Sequence, residues 1–372
     1  MSLTIEVVRS KKQKKEFVNL PFEIYKNSPV WVPSIKADEI KAIDPAHNPA
    51  MEYSESEYWL VYRDKNVVGR IGAIVNSKYN EKTGKKFGRF SRIEFIDDKE
   101  VFLLLMDTAI EWIKERGMEH VHGPLGYSNL DTQGMLIEGF EYLQPVTSVH
   151  HMPYYKSHFD AYGFEKEIDW IEFRLTLGGT ANEKGERGSE IIKKRYGFVV
   201  EKFTKNKQML PYVTPIFDVL NEAFKKLPYV TPFNEKMVDL YKKKYFKLIN
   251  PKFVFVAKKE GKLIGFMIAV PSLSEAMQKA NGSLYPFGFY HILNAMKKPK
   301  VLEFFIIGVM PEFDRSGVAV ILFNEIHKEM RKQGIKTMET GGIFETNHNV
   351  ISNWKNYEHI QHRRRRCFIK DI

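Results

Sequence analysis

The sequence predicts two α/β domains in tandem, each a sheet layered with helices, and three observations support this prediction. The chain has 372 residues, which is the length of two ordinary domains. One order of strands and helices occurs twice along it. The composition, with 43% hydrophobic and 28% charged residues, is typical of globular proteins. Disordered, collagen-like and coiled-coil classes are therefore excluded.

The first part of the internal repeat is a β-hairpin. The segment WLVYRDKNVVGRIGAIV (59–75) aligns with FVAKKEGKLIGFMIAV (255–270) when Gly69 is placed on Gly265. Each copy has a strand, a charged tight turn and a second strand, which is the pattern of a β-hairpin.

The second part of the repeat is the end of a helix followed by a strand. The segment AIEWIKERGMEHVHGP (109–124) aligns with IHKEMRKQGIKTMETGG (326–342) through Gly117 and Gly334. Each glycine stands where an amphipathic helix stops. The second copy has a longer stretch between hairpin and helix, and the candidate insertion is 272–298.

The repeat sets the predicted domain boundaries. The first domain is 1–178, the linker is 179–190, and the second domain is 191–372. The linker is rich in glycine and charge and has no apolar periodicity. In the second domain we expect strands at 196–203, 301–309, 336–340 and 366–370, and helices at 213–225, 235–248, 317–332 and 347–357.

Charge and cysteine content restrict the partners and the compartment. The formal net charge is +11, which favours anionic partners such as nucleic acid, anionic lipid or a phosphate-bearing cofactor. The single cysteine, Cys367, excludes an internal disulfide and a Cys-rich zinc module. The N-terminal segment has no signal-peptide pattern, and no apolar run reaches the roughly 18 residues of a membrane span. We therefore expect a cytoplasmic protein without a membrane partner.

Four consecutive arginines, Arg363 to Arg366, form the densest basic cluster. They precede the alternating segment that begins at Cys367. We interpret them as a terminal strand whose outward residues are basic; the alternative is a patch that binds nucleic acid or phosphate.

The most informative stretch is 301–334, where a strand leads into a helix. An apolar strand ends at Val309, Pro311 stops strand pairing, and DRSGVA (314–319) leads into the helix. Helix starts leave backbone N–H groups unpaired and carry the positive end of the dipole, so they receive phosphates well. The alternative is an ordinary strand-to-helix turn in which Gly317 relieves strain.

This stretch resembles the GNAT superfamily of acyl-CoA-dependent N-acetyltransferases. That family has a strand ending in V-x-P, followed by Q/R-x-x-G-x-G/A at a helix start. Val309, Pro311, Gly317 and Ala319 stand at the matching places, and Asn347 opens a segment similar to the family's N-x-x-A-x-x-x-Y.

The resemblance extends more weakly to the first half, whose ending HFDAYGFEKEIDWIEFRL is similar to the family's closing Y-x-x-x-G-F. It implies a bacterial tandem protein with two GNAT-like domains. Each would be a mixed, mostly antiparallel sheet flanked by helices.

The resemblance also implies a cofactor site for acetyl-CoA or another acyl-CoA in the second half. Backbone N–H groups of the strand around Ile307 and Val309 would hold the pantetheine arm and polarise the thioester carbonyl. The pyrophosphate would bind the amides of the helix start. The cofactor-binding residues implied are Ile307, Val309, Arg315, Ser316, Gly317, Val318, Ala319 and Asn347.

Two side chains are candidates for the proton transfers of such a reaction. Glu303 would be the base, because period two along the strand places it on one face with Phe305, Ile307 and Val309. Its alternative is a structural carboxylate paired with a basic residue. Tyr357 would be the acid; its alternative is a packing aromatic.

The sequence departs from the family pattern at three places. Asp314 stands where the family has Gln or Arg, and Trp354 stands where it has the tyrosine proposed as acid. A carboxylate at 314 repels pyrophosphate unless it caps the helix. At the corresponding helix start of the first half, Asp97, Asp98 and Glu100 suit the helix dipole and would exclude a phosphate. We therefore expect the first half not to bind CoA.

The first half has instead a long polar segment, 123–155, which we interpret as an acceptor-side wall or a domain interface. The histidines His120, His122, His150 and His151 lack the spacing of a metal motif, so we expect no metal.

The leading hypothesis is an acyl-CoA-dependent N-acyltransferase acting on a small-molecule or peptide amine. One alternative resembles the Fem aminoacyl transferases, which take the acyl group from charged tRNA and would make nucleic acid a partner. Another is a non-catalytic tandem that binds a ligand or a partner.

Overall fold

The computed structural model describes residues 2–177, 181–246, 249–352, 354 and 357–372, with the backbone alone at 181–184 and 349. The strands are β1 (Leu3–Val7), β2 (Ser54–Arg63), β3 (Asn66–Asn76), β4 (Phe87–Phe95), β5 (His120–Gly123), β6 (Met135–Glu138), β7 (Glu165–Thr176), β8 (Val199–Lys202), β9 (Val254–Lys259), β10 (Lys262–Pro271), β11 (Val301–Val309), β12 (Thr337–Thr340), β13 (Ile343–Phe344) and β14 (Glu358–Asp371). The helices are α1 (Lys11–Ile24), α2 (Lys36–Ala42), α3 (Ser77–Thr83), α4 (Lys99–Lys114), α5 (Tyr154–Tyr162), α6 (Ala181–Tyr196), α7 (Asn206–Met209), α8 (Val213–Phe224), α9 (Glu235–Tyr245), α10 (Ser274–Ala280), α11 (Gly288–Lys297), α12 (Val318–Lys332) and α13 (His348–Ile351).

The chain forms two compact units. The first contains the chain up to Ile171 together with Ser274–Ile292 and His362–Ile372, and the second contains Glu172–Leu273 and Leu293–Gln361. The predicted division at 178 and 191 separates the chain differently, into two consecutive halves. The structure assigns two segments of the second half to the first unit, because β14 and the insertion around α10 pack there.

In the first unit the strand order is β1-β2-β3-β4-β5-β14-β7, and β6 pairs with β14. β4 and β5 run parallel, while β1 to β4 are successively antiparallel. α4 makes the crossover from β4 to β5 and buries Phe102 and Leu105 against the sheet. The core of this unit also contains Phe159 and Phe368, so the C-terminal strand β14 completes the core.

In the second unit the strand order is β7-β12-β11-β10-β9-β8. β11 and β12 are parallel, and the other neighbours are antiparallel. α12 makes the crossover from β11 to β12 and packs on β9 and β10, while α8 packs on β10 and β11. The predicted fold class, mixed and mostly antiparallel sheets flanked by helices, is confirmed.

The hairpin glycines of the repeat have the same structural role in both units. A Cβ at Gly69 would lie 2.8 Å from side-chain atoms of Val101 and Leu105 on α4, and a Cβ at Gly265 would lie 2.8 Å from Val318 on α12. In each unit the first turns of the crossover helix therefore pack directly on the hairpin backbone.

The strand that precedes each crossover helix also carries a β-bulge. The β3–β4 register shifts between Arg70 and Gly72, and the β10–β11 register shifts between Ile268 and Ala269. A bulge bends a strand and re-aims its side chains, and it often lies next to a functional site.

The predicted linker is helical. Residues 178–180 lie outside the described part, and α6 covers the remainder of 179–190. Two charges within the predicted linker pair with α12 instead: Glu186 with Arg331, and Glu190 with Lys328. The next turn of the helix adds the pair of Lys193 with Glu325. A charged surface next to the segment, which local sequence does not reveal, therefore stabilises this helix.

The arginine cluster forms a strand, as predicted, but two of its four arginines do not face outward. Arg363 and Arg365 are 1% and 5% exposed. Arg363 donates to the carbonyl oxygens of Tyr142 and Val149, and Arg365 donates to that of Gln133. These buried partners replace water, so the guanidinium groups of Arg363 and Arg365 are not part of an exposed basic patch.

Other predicted elements differ at their ends. The helix expected at 347–357 is the single turn α13, and 353, 355 and 356 lie outside the described residues. The strand expected at 366–370 is the longer β14, and α9 ends at Tyr245, with 247 and 248 not described. Among the described residues, none of the helices has both the length and the apolar composition needed to cross a bilayer.

Candidate functional site

The candidate site begins where β11 and β12 separate. The parallel register pairs Val301 with Thr337 and ends where Phe304 pairs with Thr340. The Gly341 amide donates to the Phe304 carbonyl at 3.2 Å, and β11 then continues to Val309 beside β10 alone. The last five residues of β11 thus have a neighbour on one side only among the described strands.

The pairing with β10 fixes the direction of the amides on this free half of β11. Met310 N–H donates to the Ile264 carbonyl at 2.9 Å, and the residues of an antiparallel pair alternate between bonding and facing away. The amides of Val309 and Ile307 therefore point away from β10, into the opening left by β12. These two amides are the ones that the sequence assigned to the pantetheine arm and the thioester carbonyl.

The start of α12 follows within a few residues. Gly317 has φ +86° and is the N-cap, and no side chain caps the helix. The Ile321 amide donates to the Gly317 carbonyl, so Val318, Ala319 and Val320 supply the first amides of the helix. This start can therefore accept an anion on its backbone. A Cβ at 317 would lie 2.7 Å from Ile192 of α6, which packs against the loop.

The equivalent helix start in the first unit is capped. Asp98 is the N-cap of α4, and its side chain accepts hydrogen bonds from the amides of Glu100 and Val101 at 2.9 and 3.2 Å. Arg63 lies 2.7 Å from the same carboxylate. The amides that would meet a phosphate here are already bonded to a carboxylate.

The residues before Gly317 are placed in a short turn. The Ser316 amide and hydroxyl both donate to the Phe313 carbonyl, while Arg315 is exposed. Asp314 does not cap α12. Burial raises the pKa of its carboxyl, and the Arg315 guanidinium opposes that shift. The repulsion expected between Asp314 and a pyrophosphate is therefore not removed by capping.

A cleft of about 410 Å³ opens at the same end of β11. It lies between α8 and the β9–β10 turn and reaches Met310, the residue after the strand. Its polar side chains include Asp218, Glu222 and Lys262. Glu303 does not line it.

Glu303 is buried in the sheet, with 1% of its surface exposed. The Ser272 hydroxyl donates to Glu303 Oε1 at 2.8 Å. Its cross-strand partner on β12 is Glu339, whose carboxylate accepts from Arg174 Nε at 2.8 Å. Arg174 thus compensates the negative charge of Glu339, the second carboxylate of this cross-strand pair.

The bulge changes the face on which Glu303 lies. Glu303 pairs with Val270, and Ile306 pairs with Ile268, two residues away on the same face of β10. Phe305 is the extra residue. Glu303 therefore shares its face with Ile306 and Gly308, and the expectation that it shares one with Ile307 and Val309 is wrong. The extra residue of a bulge interrupts the alternation of side chains between the two faces of the strand.

Tyr357 lies against α12. Its hydroxyl is 3.3 Å from His327 Nδ1, and burial raises the pKa of its phenol. Trp354, at the family's tyrosine position, is 1% exposed and packs edge-on against Phe323, one turn before His327 on α12. Both aromatic residues therefore face the same helix, and Trp354 is a packing residue.

The two candidates for proton transfer lie on opposite faces of the sheet. Phe304 stacks on Phe323 of α12, so the neighbouring Glu303 points to the other face. On that face a Cβ at Gly308 would touch Val219 of α8. Only a group inserted between β11 and β12 could reach both faces.

Asn347 is the N-cap of α13 and accepts a hydrogen bond from the Val350 amide at 3.3 Å. In this arrangement its side chain orders the turn after β13. The amide nitrogen of that side chain is the atom left to donate to a ligand.

The four histidines do not converge. His120 pairs with Asp371, and His151 accepts from the Leu136 amide. The described residues bring together a different trio, His122, Glu167 and Cys367, whose ligand atoms lie within 4.8 Å of one another. The thiol and the imidazole each contact Glu167, at 3.3 and 3.2 Å, so hydrogen bonds link the three side chains.

The first unit contains a buried carboxylate that was not predicted from the sequence. Glu94 is 8% exposed and accepts hydrogen bonds from the hydroxyls of Tyr25 and Tyr155, at 2.6 and 2.7 Å. Burial raises its pKa, and Arg70 at 3.8 Å opposes the shift. The residue lies beside the β4 bulge. Its partners come from distant parts of the chain, so local pattern gave no signal.

Comparison with known proteins supports the family resemblance. Residues 215–356 match the model of the acetyltransferase (GNAT) family. A solved tandem GNAT protein from the clavulanic acid biosynthesis pathway covers 100% of this chain, and this chain covers 98% of it, with a TM-score of 0.58 and 12% identity.

Two curated relatives match most of the chain. Protein YghO of Escherichia coli (strain K12) is 26% identical over 350 residues, which cover 91% of this chain and 87% of that protein. The bacterial ceramide synthase of Caulobacter vibrioides (strain NA1000 / CB15N) is 26% identical over 321 residues, covering 84% and 82%. The family match thus lies in the second half of the chain, at 215–356, and the fold of the whole chain is similar to that of a tandem GNAT protein.

Proposed function

We propose that the second unit transfers an acyl group from an acyl-CoA thioester to an amine. The observation that carries the proposal is the junction of β11 and α12. β11 turns two amides into the opening beside β12, and α12 begins next to it without a side-chain cap. Amide donors at a developing oxyanion and amides at a phosphate are the two requirements of a thioester cofactor.

In this proposal the chain would contact an acyl-CoA at two places, the free half of β11 and the start of α12. The amides of Ile307 and Val309 would donate to the thioester carbonyl oxygen, and the amides from Val318 would bind the pyrophosphate. Bound acyl-CoA supplies an activated carbonyl carbon. The amine nitrogen attacks that carbon, the carbon–sulfur bond breaks, Glu303 accepts the amine proton, and Tyr357 returns a proton to the sulfur. A thioester between β11 and β12 would be accessible from both faces.

We propose a long-chain amine as the acceptor. The support is the relative named bacterial ceramide synthase, at 26% identity over 84% of this chain. Ceramide is an N-acylated long-chain amino alcohol, so the proposal makes a long-chain amino alcohol the acceptor and a fatty acyl-CoA the donor.

Calorimetry tests the cofactor site. We expect the native chain to bind acetyl-CoA and palmitoyl-CoA, and Gly317→Glu to weaken binding at least roughly tenfold, because a carboxylate at the helix start repels the pyrophosphate. Gly334→Glu is the matched control, since Gly334 also has a positive φ, +71°, and has open space around its Cβ position. If the native chain binds neither CoA ester, the proposal is contradicted. If Gly317→Glu binds the esters as tightly as the native chain does, the assignment of the pyrophosphate to the start of α12 is contradicted.

The pH dependence of turnover tests Glu303. We expect Glu303→Gln to lower kcat by roughly 10²-fold or more and to flatten the acidic limb of the profile, because the amide cannot accept a proton. Ser272→Ala removes the hydrogen bond to the same carboxylate and should keep the limb while shifting its midpoint. A profile unchanged in Glu303→Gln would remove Glu303 as the base.

A further inference from the structure

The insertion between hairpin and helix exposes a continuous apolar segment, which we name the aromatic tip and define as residues 284–293. It contains the end of the connection between α10 and α11 and the first half of α11. Its large exposed side chains are Leu284 (36%), Tyr285 (79%), Phe287 (72%), Phe289 (45%), Tyr290 (62%) and Leu293 (50%). Proteins rarely expose so many large apolar groups in one place unless that surface binds something.

The base of the tip is tightly held. Gln278 of α10 donates to the carbonyls of Pro29 and Trp31 at 2.8 and 2.9 Å. The Lys36 amide donates to the Gly282 carbonyl at 2.9 Å, and a Cβ at Gly282 would lie 2.4 Å from the Phe22 ring. The exposed rings therefore project from a packed support and have a fixed position.

The charge around the tip is positive. Lys279, Lys297, Lys298 and Lys300 are all exposed, and Glu275 is the one acidic residue in 272–300. On α11 the stripe Phe289, Leu293 and Lys297 follows the spacing i, i+4, i+8, so the apolar face ends in a cation. Ile292, one helical turn after Phe289, is buried.

This combination fits one kind of partner. Tyrosine and phenylalanine insert at the headgroup level of a bilayer, where lysines next to them attract anionic lipids. Lysine is depleted in protein–protein interfaces, which makes a protein partner the poorer match. We propose that the aromatic tip docks the protein on the surface of an anionic membrane. The proposal goes beyond acyl transfer, because docking does not require turnover.

Vesicle flotation tests the proposal on the full chain. We expect the native protein to float with vesicles of phosphatidylcholine containing phosphatidylglycerol and to partition less on pure phosphatidylcholine. Phe287→Ser with Tyr290→Ser should reduce the partition coefficient by about tenfold or more, because two side chains lose their burial in the interface. Val199→Ser, at a side chain 59% exposed outside the tip, is the matched control and should bind as the native chain does.

Two further variants separate the parts of the proposal. Lys297→Glu with Lys298→Glu should abolish the preference for anionic vesicles, since the cations next to the stripe are reversed. The Phe287→Trp variant should lose more fluorescence to brominated lipid acyl chains than the native chain does, because the added indole enters the interface. All substituted side chains are exposed, and an unchanged thermal melt will verify that the variants fold.

Three results would overturn the proposal: no flotation of the native protein, equal flotation of the Phe287→Ser/Tyr290→Ser variant, or lipid quenching of Phe287→Trp no greater than that of the native chain. Self-association of the native chain that this double variant abolishes, without vesicle binding, would assign the tip to a second copy of the chain instead. Turnover of short, water-soluble substrates without vesicles should be the same in native and tip variants, so failure of docking and failure of acyl transfer are distinguishable.

Discussion

At the level of single residues, the two units share a hairpin glycine but differ in the residue that begins the crossover helix. Gly69 and Gly265 both allow a crossover helix to lie on its hairpin. In the first unit that helix starts with the capping carboxylate of Asp98, and in the second it starts uncapped at Gly317. One residue at the helix start therefore separates a start capped by a side chain from an uncapped one.

Gly69→Ala and Gly265→Ala form a matched pair. Each added methyl overlaps a side chain of the crossover helix, so we expect each to lower the free energy of unfolding by about 1–3 kcal/mol. Only Gly265→Ala should weaken CoA binding, because only α12 is the proposed phosphate site. Chemical denaturation and calorimetry measure the two effects. Equal loss of CoA affinity in both variants would contradict the assignment to the second unit.

His327 predicts a pH dependence of stability. Burial lowers the pKa of its imidazole to about 4, and Arg331 adds to the shift. Above pH 6.5 the folded and unfolded states are both neutral at this site. As the pH falls from 6.5 towards 4, the unfolded chain binds a proton that the folded chain does not, so the free energy of unfolding falls.

His327→Phe should remove the part of the pH dependence of stability that comes from this imidazole. Between pH 7.5 and 4.5 we expect the variant's second unit to lose about 2–3 kcal/mol less than the native one. Urea unfolding at the two pH values measures the difference. An equal loss in both proteins would show that the imidazole is protonated in the folded state.

At the scale of elements, β14 is the part of the chain that the sequence described least well. Its alternating arginines are buried or paired within the first unit. Asp169 of β7 is fully buried and lies 2.8 Å from Arg366 Nε and 3.0 Å from Arg364 Nη1. Burial opposes ionisation of Asp169, but hydrogen bonds from Arg366 and Arg364 outweigh it and hold the pKa of this carboxyl below its usual value.

Asp169→Ala should destabilise the first unit by about 1–3 kcal/mol, because it removes charge-assisted hydrogen bonds from two partly buried guanidinium groups. Chemical denaturation followed by circular dichroism measures this loss. Glu119→Gln, which breaks the exposed pair with Lys86, is the control and should leave the free energy of unfolding nearly unchanged. A loss at Asp169 no larger than this control would contradict the buried pairing.

At the scale of the whole molecule, the chain does not fold as two consecutive halves. Residues from His362 to the C-terminus belong to the first unit, where Phe368 packs in the core with Phe159 and Phe164. β14 is also the antiparallel neighbour of β5. Completion of the first unit therefore requires the end of the chain.

A chain that stops after Gln361 should therefore lose protection in its first unit. We expect hydrogen exchange of the amides of Val121 and His122 to accelerate by at least roughly 10²-fold, since β5 loses its partner strand and the core loses a buried phenylalanine. The hairpin of β9 and β10 should retain its protection. Unchanged exchange at β5 would mean that β14 is dispensable for this unit.

Much of the fold was readable from the sequence because its signals are local. The hairpin glycines, the helix stops at Gly117 and Gly334 and the apolar strand before Pro311 each depend on neighbours a few residues away, and the structure contains the corresponding elements. The bulge at Phe305 and the helix α6 were not readable. The first depends on the register with β10, and the second on charges supplied by α12.

The tandem α/β organisation, the resemblance of the second half to the GNAT family and the contrast between an acidic and an uncapped helix start were readable from the sequence, because periodicity and capping are properties of adjacent residues. Only the tertiary structure decided which face Glu303 occupies, that Arg363 and Arg365 are buried, and that the C-terminal strand completes the first unit. These features arise from pairing between residues far apart in the chain, where side-chain partners replace water, and no local pattern records which partners meet.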